Sequence, residues 1–112
     1  MKYYHNTRCS TSRKGLDLLT EKGVAPEIVE YMKEPLILAE LEELVSKLGI
    51  APIDLVRTKE AVWIEEFADK ELMDEEVMLA MIEYPQLMER PVLENGNKAR
   101  IGRPIDDLLT IL

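Results

Sequence analysis

A chain of 112 residues, 46% hydrophobic and 32% charged, has the size and balance of one domain around a single core rather than a disordered segment. No apolar run approaches the ~20 residues of a membrane-spanning helix, and Met1 to Ser10 has no secretory hydrophobic region, so neither a membrane nor export is expected. A net charge of −8 argues against nucleic acid as a partner. The single cysteine excludes an internal disulfide and any cysteine-rich metal centre, and together these features point to a reducing cytoplasm.

Charge is unevenly distributed. Residues 1–14 hold four of the 14 basic residues (Lys2, Arg8, Arg13, Lys14) and none of the 22 acidic ones, so Cys9 sits in a basic island of an acidic chain. The aromatic run Lys2-Tyr3-Tyr4-His5 reads as a first strand, and Asn6 to Ser10 as a polar turn. A helix is expected from about Thr11, with Leu16 and Leu19 inward and Gly23 ending it. Glu27 to Tyr31 is the next strand, which closes a right-handed βαβ unit with parallel strands.

The middle of the chain, about residues 36–84, reads as a helical insert. Leu41, Leu44, Val45 and Leu48 follow helical spacing up to Gly49. Thr58 is placed to cap a segment through Ala61, Val62 and Phe67. Asp74 is placed to cap a helix whose apolar face is Val77, Met78, Met81 and Ile82. The six methionines are read mostly as core fillers. Pro91 to Glu94 and Lys98 to Ile101 then form a hairpin, Asn95-Gly96 suiting a type I′ turn. Pro104 opens a last helix with Ile105, Leu108, Leu109 and Leu112 inward. The order β-α-β, helical insert, β-β-α makes one α/β domain over residues 1–112.

Cys9 falls between a strand and a helix, where the helix's unpaired N–H groups and its positive dipole end stabilise a thiolate, aided by Arg8 and Arg13. Ser12 stands where the second cysteine of a Cys-x-x-Cys motif would be, so an adduct on Cys9 must be resolved by an external thiol. Arg90 and Arg103, each before a proline, and Arg57 offer planar donor forks for an oxyanion. His5 is read as a hydrogen-bonded strand-end residue, and Arg100 as a weaker candidate. Other cysteine chemistries fit poorly. A Cys-x5-Arg phosphatase loop would need arginine where Gly15 stands, and a cysteine protease would need a histidine other than His5, four residues away.

Tyr4-His5-Asn6-x-Arg8-Cys9-Ser10-x-Ser12-Arg13 resembles the opening motif of the glutaredoxin-coupled arsenate reductases. Glu30-Tyr31 with Pro35, Leu55 to Glu60, Glu89-Arg90-Pro91-Val92 and Ile101-Gly102-Arg103-Pro104 extend the resemblance over the chain, in order. The resemblance implies a thioredoxin-like fold with a mixed four-stranded sheet and a cis peptide before Pro91. It further implies that Cys9 attacks arsenate and that Arg57, Arg90 and Arg103 bind the oxyanion. His5 and Asn6 would shape the thiol loop, with Arg8 and Ser12 in support. Glutathione would be the co-substrate and glutaredoxin the protein partner, with no bound cofactor or metal. Thr7 departs from the pattern, since many members carry proline there. The competing reading is a redox-sensing regulator that resembles the Spx type and contacts RNA polymerase. Ser12 weighs against it, because such regulators typically carry Cys-x-x-Cys at this helix start.

Overall fold

The computed structural model describes all of residues 1–112. The chain forms two compact units, residues 1–34 with 90–112, and residues 35–89. The first unit holds a four-stranded sheet in the order β2-β1-β3-β4, made of β1 (Lys2–Tyr4), β2 (Glu27–Val29), β3 (Val92–Asn95) and β4 (Lys98–Ile101). β1 runs parallel to β2, with Tyr3 opposite Ile28, and antiparallel to β3, with Tyr3 opposite Leu93. Helix α1 (Ser10–Glu21) makes the crossover between the parallel strands. This is the mixed sheet and thioredoxin-like order expected from the sequence.

The core of this unit is Tyr3, Leu19, Leu93, Leu108 and Ile111, with Leu16 and Val24 packed against it. Tyr3 is central because β1 has a neighbour on each side, and its ring is wholly buried. Pro91, also fully buried and in a cis peptide with Arg90, packs where two glycines make room for it. A Cβ on Gly102 would lie 2.8 Å from the Pro91 Cγ and 3.0 Å from Leu108; a Cβ on Gly15 would lie 3.1 Å from the same Cγ. Gly15 in mid-helix therefore trades helix propensity for close approach.

Four expectations need correction here. The second strand stops at Val29, and Tyr31 lies buried in the turn that follows. In the hairpin Asn95 pairs with Lys98, so the turn residues are Gly96 and Asn97. Only Gly96 has positive φ (62°), the signature of a type II′ rather than a type I′ turn. The last element, Ile105–Ile111, is a 3₁₀ helix preceded by Pro104, whose peptide bond with Arg103 is also cis. Three residues per turn align Ile105, Leu108 and Ile111, so Leu108 and Ile111 are buried while Leu112 is exposed.

The second unit contains α2 (Leu38–Leu48), α3 (Ala61–Glu66) and α4 (Asp74–Glu83). Leu41, Leu44 and Val45 are buried, and Gly49 ends α2 at φ 68°. Neither proposed cap is used. Glu60 occupies the cap position of α3, and Met73 that of α4, whose backbone N–H donates to the Glu76 carboxylate at 2.9 Å. A first-turn glutamate thus accepts from the N-cap backbone N–H, a different donor from those an Asp74 cap would have served. Met78, Met81 and Met88 are core residues, but Met1, Met32 and Met73 are exposed, so only half fill gaps. No helix is long and apolar enough to cross a membrane.

The packing around Pro91 makes a stability prediction. Gly102→Ala should lower unfolding free energy by about 1–3 kcal/mol in urea titration, because neither a buried proline ring nor Leu108 can retreat. Lys98→Ala, on the exposed edge strand, should stay within about 0.5 kcal/mol.

Candidate active site

Cys9 is the N-cap residue of α1, extended at φ −93° and ψ 120°. No side chain caps this helix by a hydrogen bond, and the backbone N–H groups of Ser12 and Thr11 bear on the Cys9 sulfur by favouring its thiolate. The loop before it is tied down at every residue. His5 N–H donates to Val29 O at 3.0 Å, Cys9 N–H to Asn6 O at 3.0 Å, and Arg8 N–H to the Asn6 side-chain oxygen at 3.0 Å. Arg13, one turn into α1, donates from Nη1 to Thr7 O at 2.9 Å and closes the loop onto the helix.

Ser12 is fully buried beneath this loop. Its hydroxyl oxygen accepts from the Asn6 backbone N–H at 3.1 Å and lies 2.7 Å from His5 Nδ1. The Tyr3 hydroxyl donates to the Ser12 carbonyl at 2.5 Å. Burial pushes the His5 imidazole below its usual value, the charge of Glu30 pulls it back up, and Arg13 opposes protonation; the result is a lowered pKa. With His5 neutral, the Ser12 hydroxyl donates to Nδ1 while accepting from Asn6.

Two arginines stand at the thiol. Arg103 Nε donates to the carbonyl of Arg90 at 2.9 Å, while its Nη2 lies 3.8 Å from Cys9 Sγ. Arg90 acts on Cys9 through both a hydrogen bond and its charge. Partial burial raises the thiol's pKa, but the Ser12 N–H, Arg90 and the Thr11 N–H outweigh it and hold the thiol below its ordinary value. Pro91 fixes the path of the chain between Arg90 and β3, which carries this guanidinium to the end of β1 where Cys9 follows.

Arg57 belongs to the second unit. It is set in place by an isolated antiparallel bridge between Val56 and Met88, with Arg57 N–H donating to Leu87 O and Glu89 N–H to Leu55 O at 2.8 Å. Its Nε lies 3.6 Å from a Glu60 carboxylate oxygen. Arg100 turns back to the carbonyl of Ala99 at 2.9 Å on the edge strand. Sequence reasoning overlooked three contributors: Tyr3 as a hydrogen-bonding residue, Arg13 as the loop clamp, and the small residues Gly15 and Gly102. A glycine inside a helical pattern was the one legible signal among them.

Between the thiol loop (residues 5–8) and the turn after β2 lies a cavity of about 280 Å³, whose far wall is Glu30, Met32 and Lys33.

These geometries predict a pH profile. The rate of Cys9 alkylation by iodoacetamide should reach half its plateau at a lower pH than in the unfolded chain, and Arg90→Gln should move that midpoint upward. For His5 the sign is opposite to that of a salt-bridged histidine. Its native pKa lies below the unfolded value near ~6.5, so its contribution is complete above that pH and is lost as pH falls through the native pKa. Urea stability measured at pH 7.5 and 5.5 should fall more for the wild type than for His5→Gln.

The chain matches the ArsC family over residues 4–111. It is 45% identical over 114 aligned residues to YfgD of Escherichia coli, an uncharacterised protein, covering 100% of this chain and 96% of that one. It is 40% identical over 111 residues to an arsenate reductase of Haemophilus influenzae, covering 97% and 96%. The solved structure of an arsenate reductase from Vibrio cholerae superposes with a TM-score of 0.94 at 37% identity, covering 100% of this chain and 98% of that one. With its α/β sheet, its Cys9 loop and its motifs matched across nearly the full length, the chain belongs to the ArsC family.

Proposed function

We propose that the protein is an arsenate reductase, in which Cys9 is the nucleophile and an external thiol supplies the electrons. The observation that carries this reading is the pairing of a thiol at a helix N-terminus with Arg90 and Arg103: a lowered thiol pKa beside two guanidinium groups suits attack on a tetrahedral oxyanion. Relatives named arsenate reductase from Neisseria meningitidis and Haemophilus influenzae, at 38% and 40% identity, support the choice of oxyanion.

In this mechanism Arg90 and Arg103 bind arsenate by charge-assisted hydrogen bonds and hold arsenic in line with Sγ. The Cys9 thiolate forms an S–As bond and one arsenate oxygen leaves as water, arsenic remaining As(V). Glutathione then forms a second S–As bond with loss of another water. A further thiol, that of glutaredoxin or a second glutathione, attacks the glutathione sulfur. A disulfide forms, and its electron pair reduces arsenic to As(III), still bound to Cys9. Hydrolysis releases arsenite and the free thiol. The sum consumes one arsenate and two thiols and yields arsenite, one disulfide and one water. Cys9 is the chain's only cysteine, so no step can use an internal disulfide. The regulator reading that contacts RNA polymerase lacks the redox pair at the helix start, since Ser12 is occupied in holding the loop.

Arsenate-dependent NADPH consumption, coupled through glutathione, glutathione reductase and glutaredoxin, tests the proposal. Wild type should turn over and Cys9→Ser should not; residual turnover in Cys9→Ser would overturn it. Arg90→Gln and Arg103→Gln should each cost about 10²-fold in kcat/KM, the scale of losing one oxyanion donor. Phosphate, of the same shape, should protect Cys9 from alkylation without being reduced.

A further inference from the structure

We infer that the cavity between the thiol loop and the turn after β2 is the docking site of the resolving thiol, a small zwitterionic peptide thiol of which glutathione is the type. The inference rests on the reading of Cys9 as a nucleophile whose adduct an external thiol must attack. Arg90 and Arg103 lie outside the cavity's lining, so it is not the oxyanion subsite and is free to hold a second reactant.

Size, charge and position agree on the occupant. At about 280 Å³ the cavity stands near the lower end of small-molecule sites, roughly 300–1,000 Å³, whereas a protein partner would need a face of about 800 Å². Its rim carries two cations, Arg8 and Lys33, and one carboxylate, Glu30, the latter 3.3 Å from Lys33 Nζ. A γ-glutamyl tripeptide carries the complementary set of two carboxylates and one ammonium group. Met32, exposed at 40%, offers an apolar surface for its methylene groups. In a chain of net charge −8, two cations at one cavity are a local departure that favours a net anionic ligand.

The wall of the cavity and the mount of the nucleophile are the same loop, for Arg8 is the residue before Cys9 and adjacent Cα atoms are about 3.8 Å apart. Docked there, the thiol adds its sulfur to the arsenic of the Cys9 adduct. One S–As bond forms, one As–OH bond breaks, and the thiol proton leaves with that hydroxyl as water. Arsenic is not reduced at this step.

The test is a titration of the full ¹⁵N-labelled chain with S-methylglutathione, which binds without forming an S–As bond. Amide shifts should concentrate at residues 5–8 and 30–33. Lys33→Glu, at a well-exposed side chain, should weaken that binding about tenfold, or ~1.4 kcal/mol, and raise the KM for glutathione to match, with the KM for arsenate unmoved. Shifts located elsewhere, no binding, or an unchanged KM for glutathione in Lys33→Glu would overturn the site even if arsenate is reduced. Binding at these residues by a protein that fails to reduce arsenate would uphold the site and sink the reaction instead.

Discussion

The buried hydroxyl of Ser12 is the contact on which the rest of the site depends. It holds the backbone N–H of Asn6 and faces the ring of His5, while Tyr3 bonds to the carbonyl of the same residue. Through these bonds the first strand, the thiol loop and the first turn of α1 become one body. A polar group with no exposure is costly unless every partner is met, and here each one is supplied by the segment that must be held still. The position of a Cys-x-x-Cys motif that would carry a second sulfur is thus given to a structural oxygen.

The lowered pKa of the Cys9 thiol depends on that tied loop. A thiolate at a helix N-terminus gains from N–H groups only if the sulfur stays over them, and the tied loop of residues 5–8 keeps it there. Arg90 and Arg103 then act on a fixed target. They are themselves linked, since Arg103 is anchored on the carbonyl of Arg90. Desolvation opposes the thiolate, yet the donors outweigh it.

Much of this could be read from residue order, and the misses share a cause. The βαβ unit, the hairpin and the placement of Cys9 were legible because periodicity and helix-stop glycines at 23 and 49 report local backbone preferences. Thr58 and Asp74 failed as caps because the helices begin elsewhere: Glu60 and Met73 hold the cap positions, and the Met73 backbone N–H donates to the first-turn Glu76 carboxylate. The type of the hairpin turn depended on a one-residue choice of register, which the pairing of Asn95 with Lys98 decides. The final helix misled because α and 3₁₀ spacing share the step of three from Ile105 to Leu108 and diverge only afterwards. At the site, Cys9, Arg90 and Arg103 carry a chemical signature in their residue type. Tyr3, Arg13 and Gly102 act through packing and long-range contact, which no local pattern encodes.

The junction of Gly15, Pro91, Gly102 and Leu108 has a consequence for how this chain tolerates change. Helix α1, the segment before β3 and the C-terminal 3₁₀ helix meet there with no spare volume. A packed interior passes displacement on rather than absorbing it. A side chain added at Gly102, remote in sequence from Cys9, would therefore press on Leu108 and on Pro91, the neighbour of Arg90, at once. The room left at position 102 is thus set by a proline ring beside the thiol's arginine as well as by its own strand end, so distance along the chain is a poor guide to which positions can take a larger side chain.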